Sequence, residues 1–140
     1  MPIKKDDWSL KEYQPKGSPE RWLFRKNLAP EISPRHPSYG SIAYLTFAYV
    51  PRDESGLPSM EDGKTLFEIE NKELAGLEAD GLAIQVGSVT KSGIKDLLFY
   101  TRDGHEFLRR AERFRSEYPQ FKVGCEIGPD PQWAHYDDFP

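Results

Sequence analysis

From residue 41 onward, strand and helix patterns follow one another in the order β-α-β-β-α-β. The strand patterns are rich in β-branched and aromatic residues and cover 41–50, 82–88, 94–101 and 121–127. Two amphipathic helical patterns cover 60–78 and 104–118. Short hairpins and right-handed crossovers leave few arrangements for this order. We therefore predict an α+β fold, a ferredoxin-like βαββαβ sandwich with an extra N-terminal strand and a short C-terminal helix.

The four strands of this core differ in how many of their faces are apolar. Residues 42–49 and 97–100 are apolar on both faces, whereas 82–88 and 121–127 alternate between apolar and small or polar residues. A strand with one polar face suits the edge of a sheet, where that face meets water. We therefore expect the first and third strands in the centre and the strands at 82–88 and 121–127 at the edges.

Central strands that are apolar on both sides require a cover on the sheet face opposite the two helices. An uncovered apolar patch of this size is unusual in a monomer. Three covers remain open: the terminal segments of the chain, a second copy of the protein in a homodimer, or a ligand or protein partner. The terminal segments offer four aromatic side chains for this purpose: Trp22, Phe24, Trp133 and Tyr136.

The 140 residues are expected to form a single domain. Residues 1–19 are predicted to be a polar N-terminal arm, and 20–40 an edge-type strand followed by a Pro-rich loop. Residues 41–128 form the βαββαβ core, and 129–140 form the C-terminal helix and tail.

Charge and cysteine content restrict the class of protein further. With 19 Lys and Arg against 23 Asp and Glu the net charge is −4, which argues against nucleic-acid binding. The single cysteine, Cys125, excludes an intrachain disulfide, and its place in a strand pattern predicts a buried structural thiol. Residues 1–7 lack the apolar segment of a secretory signal, and the apolar run at 42–50 is too short to span a bilayer. We expect a cytoplasmic protein without a membrane partner.

Catalytic and cofactor motifs do not occur in the sequence. Nucleophile elbows, Gly-rich phosphate loops and zinc-ligand spacings are all missing, so we assign no catalytic residue, no metal and no cofactor, and favour a protein that is not an enzyme. An enzyme or small-ligand binder remains the alternative. It would use a pocket between the 51–59 loop and the C-terminal segment, with His36, His105 or His135 at hand.

A second alternative is single-stranded RNA binding on the sheet face, because RNA-recognition motifs share the βαββαβ order and stack bases on aromatic residues of the central strands. Here those strands carry Tyr44, Phe47, Tyr49, Phe99 and Tyr100. Residues 95–100, however, contain no glycine and place an acid where a basic residue is wanted, so nucleic acid is a disfavoured partner.

Four segments carry a resemblance to a known family: Tyr44–Tyr49, the turn Gly56–Ser59, the strand end Phe99–Thr101 and the C-terminal Asp130–Tyr136. In this order they resemble the bacterial domain-of-unknown-function 695 family over roughly residues 20–140. More distantly, the chain is similar to the regulator of ribonuclease activity B family, whose members inhibit an endoribonuclease by protein–protein contact. The resemblance implies a ferredoxin-like layout and a small cytosolic binding or regulatory domain. It brings no catalytic residues.

We therefore expect a binding or regulatory domain that acts through protein–protein contact. The C-terminal motif has two readings. In the first, Asp130 caps a helix that starts at Pro131, and the following aromatic residues bury against the sheet. In the second, the same aromatic residues recognise a partner or ligand. The candidate contact residues are Tyr44, Tyr49, Tyr100, Trp133, Tyr136 and His135.

Overall fold

A computed structural model describes residues 7–140, which form one six-stranded antiparallel sheet with the longer helices on one face. The strands are β1 (Trp8–Tyr13), β2 (Trp22–Asn27), β3 (Ser41–Ala48), β4 (Ala83–Lys91), β5 (Ile94–Thr101) and β6 (Lys122–Pro129). Their order across the sheet is β1-β2-β4-β5-β3-β6. The predicted mixed α+β architecture is confirmed.

Both predicted helical regions are helical, but each is divided. The first comprises α1 (Met60–Glu68), a π-helix (Ile69–Glu73), α2 (Ala75–Glu78) and a 3₁₀ turn (Ala79–Gly81). The second comprises α3 (Gly104–Ala111) and α4 (Arg113–Glu117), and α5 (Ala134–Asp138) follows β6. Within residues 7–140, no helix is both long and apolar enough to cross a membrane.

The edge positions differ from those expected. β4 pairs with both β5 and β2, so it lies inside the sheet, and eight of its nine residues are buried. β2 is also interior, because β1 pairs along its other side. The prediction that the strands at 82–88 and within 20–40 lie at the edges of the sheet is therefore wrong. β6, at 121–127 in the prediction, does lie at an edge. β4 is interior because β2 pairs along its outer side, and β2 is interior because of β1, a strand that the polar composition of residues 1–19 did not indicate.

The larger core lies between the sheet and the helices α1 to α4. Alternation along β3 directs Ala43, Leu45 and Phe47 toward this core, and all three are fully buried. Phe47 meets Phe114 of α4 edge-to-face, with ring centroids 5.9 Å apart.

A second, smaller core covers part of the opposite sheet face. Its cover comes from the C-terminal segment and the 29–40 loop, which contribute Trp133, Tyr136 and Tyr39. Trp22 and Phe24 do not cover this face, because they belong to β2 of the same sheet. The chain's own C-terminal segment thus supplies the main cover, and the part of the face formed by β1 and β2 lies beyond it.

Cys125 lies in β6 and packs against the helix-side core as predicted, but it is half-buried rather than fully buried. Burial raises the pKa of Cys125 from 9.0 to about 11. A shift of this size leaves roughly a hundredfold less thiolate near pH 8, and the thiolate is the reactive form. We expect Ellman's reagent to label the native protein at pH 8 at least tenfold more slowly than the urea-unfolded chain. Equal rates would contradict the placement of this thiol.

Candidate functional site

The buried carboxylate of Asp130 organises the C-terminal motif. It accepts hydrogen bonds from the Tyr100 hydroxyl at 2.6 Å and from the backbone N–H groups of Ala134 and His135 at 2.9 and 3.0 Å. Burial alone would raise the pKa of Asp130, but these three donors outweigh it and hold the pKa below its ordinary value. Asp130 is therefore a fixed anion that joins β5 to α5.

The predicted start of this helix is wrong. Pro131 is not in its first turn, because α5 begins at Ala134. Trp133 precedes the helix in a left-handed conformation, with φ of 55°. Asp130 still serves the helix start, but through its side chain and across a turn rather than as the adjacent cap residue. The turn rotates the indole of Trp133 onto the sheet.

The aromatic residues of the motif are committed to internal contacts. The rings of Trp133 and Tyr100 stack at 4.0 Å between centroids with 8° between planes, and both residues are fully buried. The Trp133 indole donates to the Tyr39 carbonyl at 2.9 Å, and the Tyr136 hydroxyl donates to the Asn27 carbonyl at 2.6 Å. Burial and the Asp130 charge raise the pKa of Tyr100, so its hydroxyl stays a donor.

Two other predicted contact residues, Tyr44 and His135, meet at the surface. The Tyr44 hydroxyl lies 2.8 Å from His135 Nδ1, and the rings cross at 74°. Tyr44 is half-buried and His135 is exposed. Burial and the charge of Asp96 raise the pKa of Tyr44, which makes its hydroxyl a poor base or nucleophile at neutral pH.

Tyr49 lies apart from the other five predicted residues. It is buried in the helix-side core, and its hydroxyl donates to the Gly56 carbonyl at 2.7 Å. Burial raises the pKa of Tyr49 to about 12. The alternation of side chains explains the separation, since positions 44 and 49 differ by an odd number and face opposite sides of the sheet.

The same alternation removes the platform that RNA stacking requires. Phe47 and Phe99 lie beneath the helices, and Tyr100 lies beneath Trp133. With Tyr49 also in the helix-side core, only Tyr44 of the five central-strand aromatic residues is partly exposed on the opposite face.

The pocket expected between the 51–59 loop and the C-terminal segment is not formed. The loop lies beside α1 and β2 on the helix side, whereas the C-terminal segment covers the other face. His36 and His105 are exposed, and the nearest partner of the His36 ring is the Ser38 N–H, at 3.1 Å. Within residues 7–140, no three His, Cys, Asp or Glu side chains converge as metal ligands do.

Beyond the C-terminal cover, the second sheet face carries what we call the aromatic strip: Tyr13, Trp22, Phe24 and Phe139. Successive ring centroids along it are 5.2, 6.5 and 5.7 Å apart. A cavity of about 380 Å³ opens over the strip, bordered also by Lys11, Glu12 and Pro140. Sequence reasoning missed this surface because it did not predict β1.

Three lysines lie on the part of the sheet face that carries the strip. Lys11, Lys26 and Lys91 lie on its face of β1, β2 and β4, and the Lys91 ammonium sits 4.3 Å above the Trp22 ring centroid. None of the residues that β1, β2 and 87–91 present on this face is acidic. Glu12 borders the cavity, but its side chain alternates to the opposite face, where it is ion-paired with Arg21.

A buried ion cluster, also missed, lies on the helix side of the sheet. The side chain of Glu70, in the π-helix, is only 3% exposed and lies 2.9 Å from Arg25 and 2.8 Å from Lys95. The Gln85 side-chain amide donates to the same carboxylate at 2.8 Å. Burial pushes the pKa of Glu70 upward, but the two cations and the amide outweigh it and leave the pKa lowered.

Comparison with known proteins gives a family but no described relative. No curated protein and no solved structure is significantly similar to the chain. The expected similarity to the regulator of ribonuclease activity B family finds no support there and stays a prediction. One family model, described as a family of unknown function, matches residues 13–139, which is nearly the whole chain. The protein therefore belongs to the DUF695 family.

Proposed function

We propose that this protein is a binding domain, without catalytic activity, that contacts a protein partner through the aromatic strip. The observation that carries the proposal is the strip itself: three neighbouring aromatic rings of β1 and β2 around an apolar cavity at the surface. Tyr13 is 51% exposed there. Aromatic anchors in apolar pockets are characteristic of the central part of protein interfaces.

We also propose that residues 41–129 are a ferredoxin-like sandwich to which the β1–β2 hairpin is added. In support, β3 and β5 lie between β4 and β6, and the helices that connect these strands pack on one face of the sheet. The hairpin extends the sheet beyond β4 and brings the strip with it. In this reading the binding surface belongs to the addition rather than to the common core.

The partner is an acidic, extended segment with at least one aromatic or aliphatic side chain. Its apolar side chain fills the cavity over the strip, and its carboxylates meet Lys11 and Lys91. Among residues 7–140, β1 pairs with β2 alone, so its outer edge offers backbone groups to an extended chain. A second copy of this protein is the less suitable partner, because a two-fold contact would bring the lysines of the two strips together.

The predicted contact residues take different parts in this proposal. Tyr100, Trp133 and Tyr136 hold the C-terminal segment and so place Phe139 against Phe24. The exposed pair Tyr44 and His135 is a second point that a longer partner could reach on the same face.

Selection from a random peptide library displayed on phage tests this function. We expect peptides that bind the full chain to be enriched in Asp, Glu and aromatic residues. We expect their affinity to fall at least tenfold for a Lys11→Glu/Lys91→Glu variant, because the charge that attracts the carboxylates is reversed.

The matched control is Lys64→Glu/Lys72→Glu, which makes the same charge change at exposed positions on the helices. We expect this variant to bind the peptides within twofold of the unmodified chain. Equal losses in both variants, or peptides with no acidic enrichment, would count against the strip. A dimer that the Lys11→Glu/Lys91→Glu variant abolishes would instead identify a second copy as the occupant.

A further inference from the structure

A second cavity, of about 300 Å³, lies on the helix side of the sheet and shares no lining residue with the strip. It is an open groove bordered by β2, the 51–59 loop and α1, with Thr90 of β4 and Lys95 of β5 at its base. Leu23 forms one wall of this cavity. Its neighbours in β2, Trp22 and Phe24, belong to the strip, and the alternation of side chains along the strand directs Leu23 to the helix side.

The walls of this cavity are mainly apolar. They are formed by Leu23, Leu57, Pro58, Met60, Leu66 and Phe67. Two of these side chains are unusual for a surface helix, since Met60 is 89% exposed and Phe67 is 63% exposed. Small-molecule sites of this size are usually lined by apolar side chains together with a few polar groups.

The charged side chains that line the cavity are all positive. In the described part of the chain, the charged lining residues are Arg52 and Lys95, and the remaining polar side chains, Ser59 and Thr90, are neutral. The Lys95 side chain is 13% exposed, and its ammonium lies 2.8 Å from Glu70. An ammonium has three donors, so the Glu70 bond leaves two others for a ligand.

Arg52 is the more available cation. Its nearest acid is the adjacent residue Asp53, at 3.6 Å, which is a loose surface pair, and the Arg52 side chain is 48% exposed. The Arg52 guanidinium therefore keeps N–H donors that can reach an anion in the cavity.

We infer that this cavity binds a small organic carboxylate with an apolar body. The apolar walls take the body, and Lys95 and Arg52 take the carboxylate. A singly charged anion suits the site better than a doubly charged phosphate, because the desolvation of each further charge in an apolar cavity is costly. The volume of about 300 Å³ is at the lower end of the range for ligand pockets, so the ligand is a small molecule.

Isothermal titration of the full chain with phenylacetate, and with phenylacetamide as its uncharged equivalent, tests the inference. We expect saturable binding of phenylacetate at or below about 1 mM, and at least tenfold weaker binding of the amide. We expect Arg52→Gln to weaken phenylacetate binding about fivefold. Equal binding of acid and amide, or no saturation by phenylacetate at 10 mM, would overturn the assignment.

A second variant tests the position of the site without changing charge. Gly63 of α1 lines the cavity, and a Cβ at this residue would lie 3.6 Å from Pro58, which is an ordinary contact distance. Gly63→Leu fills the cavity, so we expect it to abolish phenylacetate binding. Gly76→Leu is the control, because a Cβ at Gly76 has no neighbour within 4 Å. Undiminished binding by a folded Gly63→Leu variant would refute this location.

Discussion

Replacement of Trp133 with alanine is expected to lower the free energy of unfolding by about 3–5 kcal/mol, the cost of a large cavity in a well-packed core. Trp133 is fully buried, stacks on Tyr100 and donates its indole N–H to the Tyr39 carbonyl. Its loss would remove the main contact between the C-terminal segment and the sheet. Urea unfolding followed by circular dichroism measures the change.

Two further variants keep this prediction testable if the alanine variant does not fold. Trp133→Phe retains a ring over Tyr100 but loses the hydrogen bond to Tyr39, so we expect a loss of about 1–2 kcal/mol. Phe67→Ala removes a ring that is 63% exposed, and we expect a change of about 0.5 kcal/mol or less. A loss below about 1 kcal/mol for Trp133→Ala would mean that the C-terminal segment does not close the sheet face.

The second large effect is expected at Glu70. Glu70→Gln would leave Arg25 and Lys95 without their shared counter-charge, and removal of one partner of a buried ion pair typically costs about 3–5 kcal/mol. Glu106→Gln is the control. Its carboxylate pairs with Arg109 and Arg110 on the solvent side of α3, where water screens the charges, so we expect a much smaller change.

The effect at Glu70 should depend on pH in a defined direction. The pKa of folded Glu70 lies below its ordinary value of 4.5, so the ionised carboxylate stabilises the fold above about pH 4.5. This contribution is lost as the pH falls through the folded pKa. The difference in unfolding free energy between the unmodified chain and Glu70→Gln should be largest near pH 7 and shrink below pH 4. A difference independent of pH would show that Glu70 is not held as a buried anion.

The sequence predicted the parts of the fold that depend on local pattern. The strand predicted at 94–101 matches β5 to the residue, and the hairpin before it turns at Ser92 and Gly93, which both have positive φ. Ser59 and Asp103, of residue types that favour helix starts, cap α1 and α3, and each accepts a hydrogen bond from the N–H three residues further on.

The failures arise where tertiary structure overrides the local pattern. The helical pattern over 60–78 places Phe67 in the apolar stripe, but Phe67 lies in α1 and is 63% exposed. Glu70, an acid that a pattern of apolar residues passes over, is buried because Arg25 and Lys95 supply its counter-charge. β1 escaped prediction because four of its six residues are exposed, so it has little apolar periodicity.

The candidate site was predictable only in part. Five of the six predicted residues lie on one sheet face. Three of them, Tyr100, Trp133 and Tyr136, are buried in the second core, where they hold the C-terminal segment on the sheet and are not exposed to a partner. The strip depends on the pairing of β1 with β2 and on Phe139, which is distant in sequence from both. Such a surface has no local signature, because its residues become neighbours only when β1 pairs with β2 and the C-terminal segment crosses the sheet.

The most direct test of the proposed function maps the binding of a selected acidic peptide on the ¹⁵N-labelled full chain by NMR. We expect the largest chemical-shift changes at the amides of Lys11, Tyr13 and Lys91 and at the Trp22 indole, whose buried Nε1 has no hydrogen-bond partner among the described residues. Changes confined to the Tyr44–His135 pair or to the helix side of the sheet would contradict the assignment of the strip as the binding surface.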